Sequence, residues 1–229
     1  MRSPSTSPDA RRSAVRSVAK RYHRAERAVS RLVALSVSGT FLLAFALADL
    51  LTALAAGVVL VVAVRAPLLR RRGTTRLRTD ATPRAVVDEC ASPTPPPLAF
   101  QWGVADEVRP TADGTGGVYE HSSLLGLRSH SLAVETAVET TSDDDRDDGD
   151  PVARVHVEGT LDGREWGAYS VGVREAGGET VVDVELLPRR RFGLRSVPQA
   201  LVADAYYADA LAAQGYAVVD RDVSVAASR

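Results

Sequence analysis

The sequence has no isoleucine and no asparagine, a single lysine, Lys20, and a single cysteine, Cys90. One cysteine excludes a disulfide scaffold and a cysteine-based metal cage. Without asparagine there is no N-glycosylation sequon. All three scarce residue types other than cysteine have A/T-rich codons, so a GC-rich coding sequence accounts for their scarcity, and the 27 arginines are not by themselves a sign of phosphate recognition. Aromatic residues are also few, at 5% of 229 residues.

What is present is a division of charge. The formal net charge of −1 is the sum of two unlike parts. Residues 1–78 carry 15 basic and 3 acidic side chains, and residues 79–229 carry 13 basic and 26 acidic ones. The two parts are therefore expected to meet different environments. The acidic surplus of the second part resembles, in composition, the proteins of salt-accumulating halophiles.

Between Arg31 and Arg65 lie 33 residues with one charge, Asp49. As one straight helix they would run roughly 50 Å at about 1.5 Å per residue, beyond a hydrocarbon core of about 30 Å. Two helices, Val29–Leu47 and Leu51–Leu69 with a turn near Ala48 and Asp49, fit that thickness better. They keep the carboxylate at the interface rather than in hydrocarbon, where it would be costly. One long or bent helix and a buried globular core are the other readings. Arginines flank the apolar stretch on both sides, from Arg12 to Arg31 before it and from Arg65 to Arg78 after it, so the positive-inside rule places both termini in the cytoplasm of a multi-pass cell-membrane protein. A cleavable signal peptide fits poorly, because some thirty residues precede the apolar stretch and that stretch is too long. Ser36 with Thr40, and Ala53 with Gly57, are small residues at four-residue spacing that suit close helix packing. That packing is within the hairpin or between copies of the chain, the latter being the homo-oligomer reading.

These signals divide the chain into a disordered tail (1–9), a basic juxtamembrane helix (10–31), a transmembrane hairpin (32–69), a basic linker (70–75) and a cytoplasmic domain (76–229). The arginines of 10–31 lack the interleaved aromatics of a base-stacking surface, and nucleic acid is not an expected partner.

In the last part the periodicity changes to two. A strand at Arg76–Asp80 is followed by a helix capped by Thr82, with Pro83 in its first turn, running to Cys90 and stopped by the prolines of Ser92–Pro97. Stripes at Leu132–Val138, Arg154–Glu158, Tyr169–Val173 and Val182–Leu186 read as strands, separated by turns at Asp113–Gly114, Asp162–Gly163 and Gly177–Gly178. About six antiparallel strands are expected. Asp143–Asp150 reads as a solvated acidic loop without the spacing or terminal glutamate of a calcium site. Ser196 and Gln199 have capping-box spacing, Gly215 stands at the C-terminal cap, and Val197, Ala200, Leu201, Ala208 and Leu211 share a predicted face. A short strand at Ala217–Val223 is expected to follow.

This order, strand, helix, antiparallel meander and long C-terminal helix, resembles the helix-grip superfamily of START, polyketide-cyclase-like and plant-allergen domains, grouped as SRPBCC. The matching pieces are Leu77–Ser92, the meander to Leu187, and Ser196–Gly215, within about 150 residues. The resemblance implies an α+β fold, an antiparallel sheet wrapped on a long helix around an apolar cavity for a hydrophobic molecule. The family has a second short helix after the first, for which Pro93, Pro95, Pro96 and Pro97 leave little room.

Under that resemblance the cavity candidates are Trp102, Tyr119, Trp166, Tyr169, Phe192, Leu201, Asp204 and Leu211, with core packing as the alternative for each aromatic. Asp204 falls on the apolar helix face, where it is either a ligand-orienting group or paired internally with an arginine such as Arg195. Arg189, Arg190 and Arg191 are candidates for anionic headgroups, or they neutralise an acidic surface. His121, His130 and His156 lack metal-ligand spacing, and no metal or cofactor is expected. Neither a nucleophile elbow, a Walker loop, a dinucleotide fingerprint nor a zinc-protease helix occurs. The expected function is noncatalytic binding of an apolar or lipid-like molecule at the cytoplasmic membrane face, with membrane lipids as partners. A membrane-tethered interaction module with a solid core is the alternative, and an enzyme on a hydrophobic substrate comes third.

Overall fold

The structure, a computed structural model, describes residues 8–47, 50–66, 69–112, 114–123, 128–141, 150–187, 189 and 191–227. Most of the expected tail, the turn at Ala48–Asp49 and most of the acidic loop lie outside the described residues.

Helix α1 runs unbroken through Pro8–Leu47, joining the expected juxtamembrane helix to the first apolar arm. The first half is not a free surface helix. Val15, Val18, Ala19 and Tyr22 recur at spacings of three and four and are all buried in the core of the strand domain. The apolar second half exposes Leu32, Leu35, Leu42, Leu43 and Leu47. Helix α2, Leu50–Arg65, leaves Leu51, Leu54, Val58 and Val62 exposed in the same way. Of the two apolar helices only α1 is long and apolar enough to cross a membrane. The 16 residues of α2 extend roughly 24 Å, and the expected continuation to Leu69 does not occur. The small pair Ala53 and Gly57 forms part of the contact with α1: Ala53 is fully buried, and a Cβ at Gly57 would come within 2.6 Å of the Phe41 ring. The other small pair is turned away, with Thr40 Oγ1 donating to the Ser36 carbonyl at 2.9 Å on an exposed surface.

Strand β1, Leu69–Thr79, starts seven residues earlier than the alternation at Arg76 predicts, so residues 70–75 are strand and not linker. Helix α3, Pro83–Cys90, is capped by the Thr82 hydroxyl, which accepts from the Ala85 amide at 3.3 Å. The proline stretch then makes a 3₁₀ turn at Pro96–Leu98 and a one-turn helix α4, Ala99–Trp102. A second short helix therefore exists. Proline suits the first position of a helix, where its missing N–H is not needed. Trp102 Nε1 donates to the Pro95 carbonyl at 3.0 Å, and Gln214 Nε2 donates to the Pro96 carbonyl at 3.3 Å.

The remaining strands are β2 (Glu107–Pro110), β3 (Gly116–Ser123), β4 (Arg128–Thr140), β5 (Ala153–Leu161), β6 (Arg164–Ala176), β7 (Glu179–Leu187), β8 (Arg191–Phe192) and β9 (Ala217–Ala227). All described pairings are antiparallel. Their order is β2-β3-β4-β5-β6-β7-β1-β8, with β9 also paired to β1. The expected meander is present and extended at both ends, and β9 runs four residues beyond Val223.

Helix α5, Val197–Ala212, follows a 3₁₀ turn at Leu194–Ser196. Ser196 makes no side-chain cap, so the expected capping box is not formed, whereas Gly215 adopts the left-handed conformation at φ 91°. The inward face is rotated from the predicted one. Ala210 and Leu211 are buried, Ala203, Tyr206 and Tyr207 pack against the core, and Leu201 is 65% exposed. The reason lies in composition. An alanine-rich helix has little directional hydrophobicity, and α5 also packs against α1, which the sequence periodicity does not include. α1, α3, α4 and α5 contribute to one core with the inward strand positions Leu77, Leu132, Val134, Val155, Val157, Val171, Val173 and Val182.

Candidate functional site

Two-residue alternation divides the arginine run at the start of β1. Arg71 falls in the stripe of Thr75, Leu77 and Thr79, which are buried, and Arg70 and Arg72 fall in the other. Arg221 is the cross-strand partner of Thr75 on β9, and its Nη1 donates to Thr75 Oγ1 at 2.9 Å. Asp204 on α5 faces both arginines. Arg71 Nη2 and Arg221 Nη2 donate to the same carboxylate oxygen, Oδ1. The Arg221 guanidinium also lies 4.0 Å from the centroid of the Tyr207 ring. Burial pushes the Tyr169 and Tyr207 hydroxyls above their ordinary range, while the positive charge of Arg71 and Arg221 pulls the other way.

Arg71 stands at the inner end of a cleft of about 940 Å³. Its walls come from four directions. α1 supplies Tyr22, Glu26, Val33, Ala34 and Val37, and α2 supplies Val61, Val64 and Arg65. The sheet supplies Trp166, Leu186, Leu187 and Phe192, and α5 supplies Gln199, Ala200 and Ala203. Trp166 can lie there because Gly159 has no side chain: a Cβ would come within 2.8 Å of the indole. Phe100, also in the wall, stacks on Tyr22 with centroids 4.4 Å apart. The cleft is open, wide enough for a drug-sized or larger ligand, and continues onto the exposed apolar surface of α1 and α2.

The candidates named from sequence separate into distinct places. Trp166 and Phe192 line the cleft, and Asp204 and Tyr169 belong to the polar cluster at its inner end. Tyr119 and Leu211 are core side chains, and Trp102, also buried, borders a separate cleft with Val15 and Gln214; none of the three lines the cleft at Arg71. Leu201 is exposed and is not part of the cleft wall. Arg189 is exposed and paired with Glu158 at 2.9 Å, Arg191 is exposed at the start of β8, and Arg190 lies outside the described residues. Arg71 and Arg221 are the residues sequence reasoning missed. The signal was the alternation Arg71, Gly73, Thr75, Leu77, hidden because the arginines read as a flank of the apolar stretch.

Two of the three strand histidines lie beside carboxylates. His130 Nδ1 is 2.7 Å from Asp162 Oδ2, and His156 Nε2 is 3.6 Å from Glu139. Burial lowers the pKa of His121. Among the described residues no three His, Cys, Asp or Glu side chains are grouped to hold a metal.

No protein-family model matches the chain, and no curated protein matches it in sequence. A START superfamily protein from Mycobacterium smegmatis is similar in structure, with a TM-score of 0.37 and 13% identity over 63% of this chain and 97% of that one. The chain's own elements make it an α+β protein with an antiparallel sheet and a C-terminal helix.

Proposed function

We propose that this chain is a membrane-anchored, noncatalytic domain that holds an apolar or lipid-like molecule where its apolar helices meet its sheet. The observation that carries this reading is the position of the cleft. One wall belongs to the folded domain and the other to helices whose remaining surface is exposed leucine and valine. Exposed apolar faces of this extent need a lipid or protein covering. A molecule in the cleft would therefore be continuous with whatever covers α1 and α2. In the same proposal α1 and α2 enter the membrane from one side as a hairpin, leaving both chain ends cytoplasmic, with the arginine flanks at the anionic surface.

Native mass spectrometry of detergent-purified full-length protein tests the binding reading. Co-purified lipid mass is expected, and a clean apo mass would count against it. Reporters fused at each terminus should both read cytoplasmic, and opposite sides would mean one span. A second reading has its own support. Tyr119 and Leu211 are fully buried in the core between helices and sheet, so a tethered interaction module is the alternative if no lipid is retained.

A further inference from the structure

The polar end of the cleft has an uneven charge count and an uneven bonding pattern. Arg65, Arg71 and Glu26 belong to the cleft wall, and Arg71 and Arg221 share the single carboxylate of Asp204. Asp204 accepts from two guanidiniums at one oxygen, so neither arginine has the two-point contact its planar fork favours. Arg221 is otherwise held, by Thr75 and by the Tyr207 ring. Arg71 is not: a guanidinium has five N–H donors, and the buried Nε of Arg71 has no acceptor among the described residues. A desolvated donor on a cation without a partner is costly, and a ligand that supplies an anionic oxygen removes that cost.

Away from Arg71 the walls become apolar at Val33 and Val37 of α1 and Val61 and Val64 of α2. The cleft thus has a cationic end inside the domain and an apolar end among the membrane-type helices. Resting on the binding reading above, we propose that the molecule it takes is an amphiphile with one anionic head, phosphate or carboxylate. The head sits on Arg71 and the tail runs out between α1 and α2. The donors of Arg71 face the head, Asp204 and Arg221 hold the guanidinium in place, and Arg72, on the other stripe of β1, takes no part.

The test uses the full chain in nanodiscs of phosphatidylcholine mixed with either phosphatidylglycerol or oleate, followed by release into mild detergent and native mass spectrometry. The wild type is expected to retain the acidic amphiphile over phosphatidylcholine by about tenfold. Arg71→Gln should still carry lipid but lose that preference, Arg71→Lys should keep part of it, and Arg72→Gln should match the wild type. Equal retention of acidic and neutral lipid by the wild type, or an undiminished preference in Arg71→Gln, overturns the proposal while leaving the binding reading intact. Displacement of the lipid by inorganic phosphate alone also overturns it, because the site would then take a free anion. Absence of any lipid on every variant defeats the binding reading itself.

Discussion

Arg71 and Asp204 stand 133 positions apart in the chain and share a hydrogen bond inside the fold, from Arg71 Nη2 to Asp204 Oδ1. That bond ties the first strand to the last helix, and through the same oxygen Arg221 adds the last strand. Three elements, β1, α5 and β9, are thus joined at one carboxylate.

Removing that carboxylate leaves two guanidiniums facing each other without an anion. Asp204→Ala is expected to destabilise the detergent-solubilised protein by about 1–3 kcal/mol, the range for leaving a buried polar group without its partner. The lower part of the range applies, because the Asp204 side chain is 33% exposed and partly screened. Arg71→Gln should cost less, since Arg221 still pairs with Asp204. Denaturant unfolding followed by tryptophan fluorescence checks both, and equal stability of all three proteins would mean that the cluster contributes nothing net.

The first half of α1 is part of the strand domain's core, so a mutation there should unfold the domain and not merely loosen a membrane contact. Val18 is 5% exposed. Val18→Asp places an unpaired carboxylate in that core and is expected to cost about 3 kcal/mol or more, whereas Leu35→Asp, on an exposed face, should leave the domain's unfolding midpoint unchanged while weakening membrane association. Deleting residues 1–24 should behave like Val18→Asp.

Cys90 is buried, and burial pushes its thiol up to about 12. At pH 8 the native protein is expected to resist maleimide labelling over hours and to label fully in denaturant. As the single thiol of the chain it reports opening of the core beneath α3 directly. Rapid labelling under native conditions would show that α3 detaches from the sheet.

In the β5–β6 turn, exposed Asp162 pairs with His130 of β4. Asp162 is held below its ordinary value of 3.8, first by His130 and then by the Ser131 amide, which donates at 3.0 Å. A carboxyl whose folded value is depressed contributes stability above its unfolded value and loses that stability as pH falls through the folded one. Asp162→Asn, which tolerates the left-handed φ of 49° there, should be less stable than the wild type at neutral pH. The gap should close below about pH 4. A gap that stays constant from pH 7 to pH 3 would rule out the linkage.

Much of the architecture was legible in local pattern. Alternation at Arg154–Glu158, Tyr169–Val173 and Val182–Leu186 located β5, β6 and β7, and Thr82 with Pro83 located α3, because those signals come from neighbours in the chain. The helix α5 was legible in extent but not in rotation, since its alanines carry little directional information and its partner α1 lies far away in sequence. The role of residues 10–31 was not legible at all. Arginines on the exposed side of α1 dominated the reading, while Val15, Val18, Ala19 and Tyr22 made a short apolar stripe whose value depends on what it meets.

By itself, then, the sequence determined the charge division, the apolar stretch and the strand periodicity, each a property of residues close together. Only the tertiary structure decided that the basic helix completes the strand domain and that Arg71 turns inward to Asp204. It also placed the cleft at the base of the apolar helices. These depend on contacts between distant segments, where packing and charge pairing, not local preference, select the arrangement.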